Sequence, residues 1–240
     1  MGAGVLALGD SITNAGGEIQ QGVALQSWAL WTARGLGLPY TPYAVDGATV
    51  QDVLAVQLPR FEAAHADPDA RFELGCLYIG TNDIRRPDWD QAAFEAAFST
   101  ALEWLARRCA RTLTATIPAR MGRPPHPRRI AQVNAAITRV AAAHGALVLD
   151  LTDFGARNLM MADHIHPTAF GQVAIAERAL TLLAGDGLVC RVHPSTLIAP
   201  ARTWLGRLQD DLATLRRGVR FSLLERAARR RMRSGPGAGE

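Results

Sequence analysis

Residues 4–13 read Gly-Val-Leu-Ala-Leu-Gly-Asp-Ser-Ile-Thr, and this stretch decides the fold class. Its apolar start is typical of a short buried strand, and Gly9-Asp10-Ser11 is typical of the tight turn that ends a strand. Ligands of open parallel sheets bind at the carboxyl edge of the strands, so a serine delivered there is a candidate nucleophile. Gly-Asp-Ser is also common in solvent-exposed turns, so Ser11 alone does not predict an enzyme.

A second polar segment, Asp163-His164-Ile165-His166-Pro167, lies far downstream. Catalysis by serine requires an imidazole that takes the serine proton and a carboxylate that orients the imidazole. Asp163 and His166 are three residues apart, so in a loop the carboxylate can reach Nδ1 of His166 and leave Nε2 for Ser11. In a plainer interpretation, Asp163 caps the following helix and His166 is an exposed polar residue.

Strand-like and helix-like patterns alternate between these two segments. After the first strand, short apolar runs predict strands at 41–45, 72–79, 112–117 and 146–149. Helical spacing of apolar residues predicts helices at 28–38, 51–64, 91–111, 129–144 and 167–183. This alternation indicates an α/β domain in which crossover helices connect the strands of a parallel sheet.

Two further residues follow predicted strands and so belong at the same edge of the sheet. Gly47 can adopt backbone angles that turn its N–H toward a ligand, which suits the oxyanion of an acyl-transfer reaction. Asn82 can donate an amide hydrogen into the same cleft. Taken by themselves, Gly47 is equally compatible with a plain turn, and Asn82 with a residue that caps one.

Four short blocks in this order resemble the SGNH, or GDSL-type, serine hydrolases. They are Gly9-Asp10-Ser11-Ile12-Thr13, Gly47 within residues 46–49, Gly80-Thr81-Asn82-Asp83, and residues 163–167. The resemblance covers residues 4–184. It implies that Ser11 is the nucleophile, that His166 is the general base and that Asp163 orients His166. It also implies an oxyanion hole formed by the backbone N–H groups of Ser11 and Gly47 and the side-chain amide of Asn82.

The resemblance further implies a three-layer, flavodoxin-like α/β sandwich, the SGNH hydrolase fold, whose five parallel strands are ordered 2-1-3-4-5. From it we expect a carboxylic-ester hydrolase, an esterase or lipase, that acts on a small-molecule ester through an acyl-enzyme and needs no metal or cofactor. The same residues would serve an acyltransferase, a thioesterase or a lysophospholipase. A different alternative is an interaction or membrane-associated module that works through its basic C-terminal tail.

The C-terminal stretch carries the basic character of the chain. The net charge is +4, but residues 201–240 hold ten arginines and four acidic residues, so the rest of the chain sums to −2. We predict a hydrolase domain over residues 1–188 and a basic amphipathic helical extension, with a disordered tail, over 189–240. Docking on its own domain or pairing in a homodimer is favoured by an apolar seam of Leu208, Leu212, Leu215 and Val219. An acidic membrane surface is a weaker alternative, and no specific nucleic acid is expected.

The cysteines and the lengths of the apolar runs indicate the cellular compartment. Cys76, Cys109 and Cys190 are odd in number and widely spaced, which argues against a disulfide framework and against a thiolate metal site. No apolar run approaches the ~20 residues that span a bilayer, and the first strand begins almost at once, without a secretory leader. A reduced, cytoplasmic compartment is therefore expected.

Overall fold

The computed structural model describes residues 4–17, 20, 22–65, 67, 70–122, 126–156, 158–199, 212, 216 and 219. A five-stranded sheet forms the centre of this part of the chain. Its strands are β1 Val5–Gly9, β2 Tyr40–Pro42, β3 Phe72–Tyr78, β4 Cys109–Ala115 and β5 Leu147–Leu149. Neighbouring strands are parallel throughout, and their order is β2-β1-β3-β4-β5. The predicted α/β class and strand order are therefore confirmed.

Strand β1 lies inside the sheet, between β2 and β3. All of its residues are buried, which is typical of a parallel strand covered on both faces. Gly9 is paired with Tyr78, so β1 and β3 end at the same level of the sheet. The segments that follow these two strands, which contain Ser11 and Asn82, therefore leave the sheet side by side at its carboxyl edge.

Helices cover both faces of the sheet. They are α1 Trp28–Leu36, α2 Val50–Asp52, α3 Leu58–Ala64, α4 Gln91–Arg108, α5 Pro127–Ala143 and α6 Ala169–Gly185. A π-helical turn, Val53–Gln57, joins α2 to α3, and 3₁₀ turns lie at Asp83–Arg85 and Pro194–Leu197. α1 packs against α6, while α4 packs against α5, α2 and the π-helical turn. Since crossovers between parallel strands are right-handed as a rule, these two groups lie on opposite faces of the sheet, which gives the predicted three layers.

One boundary difference of three residues lies between α4 and β4. The predicted helix continues to residue 111, but α4 ends at Arg108 and β4 begins at the next residue, Cys109. Cys109 is buried, has an extended backbone and pairs with Phe72 of β3. Pairing and burial in the sheet therefore outweigh the helical pattern of these residues.

Helix α6 begins two residues after the predicted start at Pro167. Pro167 instead forms an isolated bridge with Met160, and Thr168 has an extended backbone. The Thr168 hydroxyl accepts a hydrogen bond from the backbone N–H of Gly171 at 3.1 Å. Thr168 is therefore the N-cap of α6, and the proline lies outside the helix.

The end of the described chain packs on the α/β domain. Residues 189–199 lie along α1 and α6, and their 3₁₀ turn contacts both helices. Of the predicted apolar seam, the structure describes Leu212 and Val219, and both are exposed. The rest of the predicted helical extension lies outside the described residues, so its fold, its docking and its pairing stay predictions. No helix in the described part of the chain has the length and apolar character that crossing a bilayer requires.

Two glycines of α6 predict opposite outcomes for the same substitution. A Cβ on Gly171 would overlap the backbone carbonyl of Leu159, whereas a Cβ on Gly185 would meet no atom within 4 Å. We expect Gly171→Ala to lower the free energy of unfolding by about 1–3 kcal/mol, because backbone cannot move aside as a flexible side chain can. Gly185→Ala should cause no loss. Urea unfolding of both variants tests this, and equal stability of the two would contradict the packing described here.

Candidate active site

The structure brings together three polar residues that the sequence analysis singled out. Ser11 Oγ lies 2.8 Å from Nε2 of His166, and Nδ1 of His166 lies 2.7 Å from Oδ2 of Asp163. The second oxygen of Asp163 accepts the backbone N–H groups of Ile165 at 2.9 Å and His166 at 3.1 Å. Asp163 thus folds back on its own loop and does not cap α6, so the plainer interpretation of this segment is wrong.

Hydrogen bonding sets the charges of the His166–Asp163 pair. The hydrogen bond to Asp163 raises the pKa of His166 above its ordinary value of 6.5, although burial opposes this shift. Burial would raise the pKa of Asp163, but hydrogen bonds from the His166 ring and from two backbone N–H groups lower it below 3.8. Asp163 is therefore ionised at neutral pH and stabilises a proton on the imidazole.

A buried glutamine holds the end of β1. Gln57, the last residue of the π-helical turn, accepts the backbone N–H of Gly9 at 3.0 Å and donates to the Gly9 carbonyl at 2.8 Å. Gly9 has φ +143°, and a Cβ there would overlap the Tyr78 carbonyl. Glycine is thus required at this position, and Gln57 fixes the backbone two residues before Ser11.

A second buried glutamine holds the other side of the serine turn. Gln172 in α6 donates to the carbonyl of Ile12 at 2.9 Å and accepts the backbone N–H of Trp28 at 2.7 Å. Neither Gln57 nor Gln172 was singled out in the sequence. The sequence nevertheless contains a signal for both residues, since each glutamine lies on the apolar face of its helix. A polar side chain buried there needs hydrogen-bond partners.

Asp10, beside the serine, is fully buried. Its Oδ1 accepts the backbone N–H of Ile12 at 3.0 Å, while Oδ2 has no hydrogen-bond partner in the described part of the chain. Burial raises the pKa of Asp10 to about 7. Its negative charge also helps to raise the pKa of His166. Asp10 is therefore a second carboxyl group that acts on the histidine, with a much weaker tendency to ionise than Asp163.

The predicted oxyanion residues lie on two loops that hydrogen bonds connect to the serine turn. Asn14, three residues after Ser11, donates to Asp46 at 2.9 Å, and Asn82 donates to the carbonyl of Ala48 at 3.0 Å. Between these contacts lies Gly47, which is exposed and has φ +75°. The structure therefore places Gly47 and Asn82 on adjoining loops beside Ser11, and their role as oxyanion donors stays a prediction.

The described residues contain no group of three or more His, Cys, Asp or Glu side chains that could hold a metal ion. Cys76 and Cys109 are buried, and Cys190 is partly exposed; all three are free thiols.

Comparison with known proteins identifies the family. Residues 7–174 match the GDSL-like lipase/acylhydrolase family. The chain belongs to this family. Members are carboxylic-ester hydrolases, so the predicted enzyme class and the resemblance to GDSL-type hydrolases are both confirmed. No curated protein sequence matches the chain.

Solved structures show the same GDSL-type fold. LAE5, an α/β hydrolase enzyme from the metagenome of Lake Arreo in Spain, has 21% sequence identity and a TM-score of 0.58, over 77% of this chain and 97% of that one. Axe2, an acetylxylan esterase from Geobacillus stearothermophilus, has 20% identity and a TM-score of 0.58, over 76% and 95% of the two chains. At these identities the likeness concerns the fold.

The Gln57 contacts predict that this residue positions the serine. In Gln57→Leu, the buried N–H of Gly9 loses its acceptor, which should lower the free energy of unfolding by about 1–3 kcal/mol. Because the serine turn then shifts, we also expect kcat for ester hydrolysis to fall at least tenfold at unchanged KM. Gln51→Leu, at an exposed position six residues earlier in the same helical segment, is the matched control. Wild-type kcat in Gln57→Leu would show that the contact has no influence on the serine.

Proposed function

We propose that this GDSL-type enzyme cleaves its ester through an acyl-enzyme formed on Ser11, with His166 as general base and Asp163 as the residue that orients it. The observation that carries the proposal is the unbroken series of hydrogen bonds Ser11–His166–Asp163, at 2.8 Å and 2.7 Å. A neutral imidazole held at this distance can take the serine proton, and an ionised carboxylate behind it favours the correct tautomer.

In the first half of the proposed reaction, Ser11 Oγ attacks the ester carbonyl carbon while its proton passes to Nε2 of His166. The carbonyl oxygen becomes an oxyanion, for which the backbone N–H groups of Ser11 and Gly47 and the amide of Asn82 are the proposed donors. Protonated His166 then gives its proton to the alcohol oxygen as the C–O bond breaks. This leaves the acyl group on Ser11 and returns His166 to its neutral form.

In the second half, His166 takes a proton from water, and the resulting hydroxide attacks the acyl carbon. Collapse of this intermediate releases the carboxylic acid, and the proton on His166 returns to Ser11 Oγ. Structures of the acetylxylan esterase Axe2 include catalytic mutants in which a serine, an aspartate or a histidine is replaced by alanine. The same three residue types meet in this chain as Ser11, Asp163 and His166, which supports the roles proposed here.

The protein supplies a matched control for the nucleophile. Ser99 Oγ lies 2.7 Å from Nε2 of His144, a second Ser–His pair between α4 and the end of α5. We expect Ser11→Ala to lower kcat for 4-nitrophenyl acetate by at least about 10³-fold, because the covalent step is lost. Ser99→Ala should leave kcat unchanged. Wild-type turnover in Ser11→Ala would overturn the acyl-enzyme on Ser11.

The charges of His166 and Asp163 predict how kcat/KM depends on pH. The general base must be neutral, so kcat/KM should rise with pH through the pKa of His166 and be lost below it. Because the hydrogen bond to Asp163 raises that pKa, the midpoint should lie above 6.5. In Asp163→Asn the midpoint should move down and the plateau should fall. A pH series on both proteins measures this, and an unchanged midpoint in the variant would remove Asp163 from the proposed role.

A further inference from the structure

We infer that a small cavity beside the catalytic residues binds an anionic group of the ester substrate, with Arg85 as the residue that pairs with it. This inference rests on the proposed ester hydrolysis and adds a substrate class, esters that carry a carboxylate near the scissile bond. It is argued from the position of the cavity, the hydrogen bonds that hold the Arg85 turn and the charge of the lining residues that the structure describes.

The cavity adjoins the loops that carry Asn82 and His166. It has a volume of about 210 Å³, and its lining includes Thr81 and Ile165. Thr81 directly precedes Asn82, and Ile165 directly precedes His166. A substrate group in this cavity is therefore attached close to an ester carbonyl at Ser11. Since a water molecule occupies about 30 Å³ in the liquid, the space suits a group of a few heavy atoms.

Hydrogen bonds outside the cavity keep its walls in place. Arg129 of α5 donates to the carbonyls of Ile84 at 2.9 Å and Arg86 at 2.7 Å, on either side of Arg85. The backbone N–H of Gly122 donates to the carbonyl of His164 at 2.8 Å, which joins the loop after β4 to the loop of His166. The turn that carries Arg85 is thus braced before any ligand arrives, which reduces the entropy that binding must overcome.

The lining is basic and otherwise mostly apolar. Arg85 and His126 line the cavity together with Ile84, Met121 and Ile165, and no carboxylate is among the lining residues that the structure describes. In the described part of the chain, the Arg85 guanidinium has no ion-pair partner, whereas the neighbouring Arg86 pairs with Asp88 at 3.0 Å. A guanidinium left unpaired beside apolar walls is well suited to hold a carboxylate through two parallel hydrogen bonds.

A group of acidic residues lines a different cavity. Asp52, Asp83, Asp88 and Asp90 line a space of about 300 Å³, together with a single arginine, Arg86, among the described residues. The described linings of the two cavities therefore carry opposite charge. A substrate with a negative group is attracted to the cavity that Arg85 lines and repelled from the acidic cavity, which favours a single orientation at the site.

Two pairs of esters, matched in shape, test the inference. Ethyl hydrogen succinate and ethyl 4-oxopentanoate differ by a carboxylate in the acyl group, and acetoxyacetate and acetoxyacetone differ by a carboxylate in the alcohol. We expect kcat/KM of wild-type protein to favour the anion by at least about tenfold in one pair, because a hydrogen bond to a charged group is worth that much. The pair that shows the preference identifies the part of the ester that enters the cavity.

Two arginine variants test whether Arg85 causes the preference for the anionic ester. Arg85→Met should abolish the preference while kcat/KM for the neutral esters stays within twofold of wild type. Arg86→Met is the matched control, because it removes a neighbouring arginine that lines the other cavity and already has a partner. The inference is overturned if wild type favours neither anion, or if Arg85→Met keeps the preference.

A binding measurement separates this inference from the proposed function. In the Ser11→Ala background, calorimetry should show that one of the two anionic esters binds at least tenfold more tightly than its neutral partner, and that Arg85→Met removes the difference. Equal binding overturns the anion site even if the enzyme hydrolyses neutral esters. Absence of turnover of every ester by the wild type, together with selective anion binding, would instead overturn the proposed hydrolysis.

Discussion

The hydrogen bond between Ser11 and His166 is 2.8 Å long and joins residues 155 positions apart in the chain. A contact of this kind lasts only if both of its ends are fixed independently. At one end, Gln57 fixes the backbone before the serine. At the other, the carboxylate of Asp163 organises the histidine loop, and Thr168 starts α6 immediately after it. Gln172 connects the two ends directly, because it reaches from α6 to the carbonyl of Ile12.

Three buried or half-buried carboxyl groups around the site have different charges because their partners differ. Asp163 accepts three hydrogen bonds, and its pKa is lowered. Asp10 and Asp83 each have one oxygen without a partner in the described part of the chain, and burial raises their pKa values to about 7 and about 6. The protein therefore keeps one firmly ionised carboxylate behind the histidine, while the other two titrate closer to neutrality.

The sequence was sufficient for the features that depend on local pattern or on short motifs. Alternating strand and helix patterns gave the α/β class, and the resemblance gave the strand order and the residues that meet at the site. The junction at Cys109 was mispredicted because its helical pattern is local, whereas its pairing with Phe72 is not. Gln57 and Gln172 were missed for the same reason, since each acts through residues distant in the chain. The one local signal for the two glutamines was that each is a polar residue on an apolar helix face.

The π-helical turn Val53–Gln57 sets the rotational position of Gln57 about the helix axis. The N-terminal end of this helical segment is fixed by the capping box of Thr49 and Asp52 and by the bond from Val50 N–H to Asp83. Its other end must present Gln57 to Gly9. Each residue turns an α-helix by about 100°, and a π turn accommodates one extra residue without breaking the helix. If one residue were deleted here, either Val50 would rotate away from Asp83 or Gln57 would rotate away from Gly9. The length and hydrophobicity of the helix would stay almost the same. The spacing between the cap and the glutamine is therefore constrained more tightly than the identity of the residues between them.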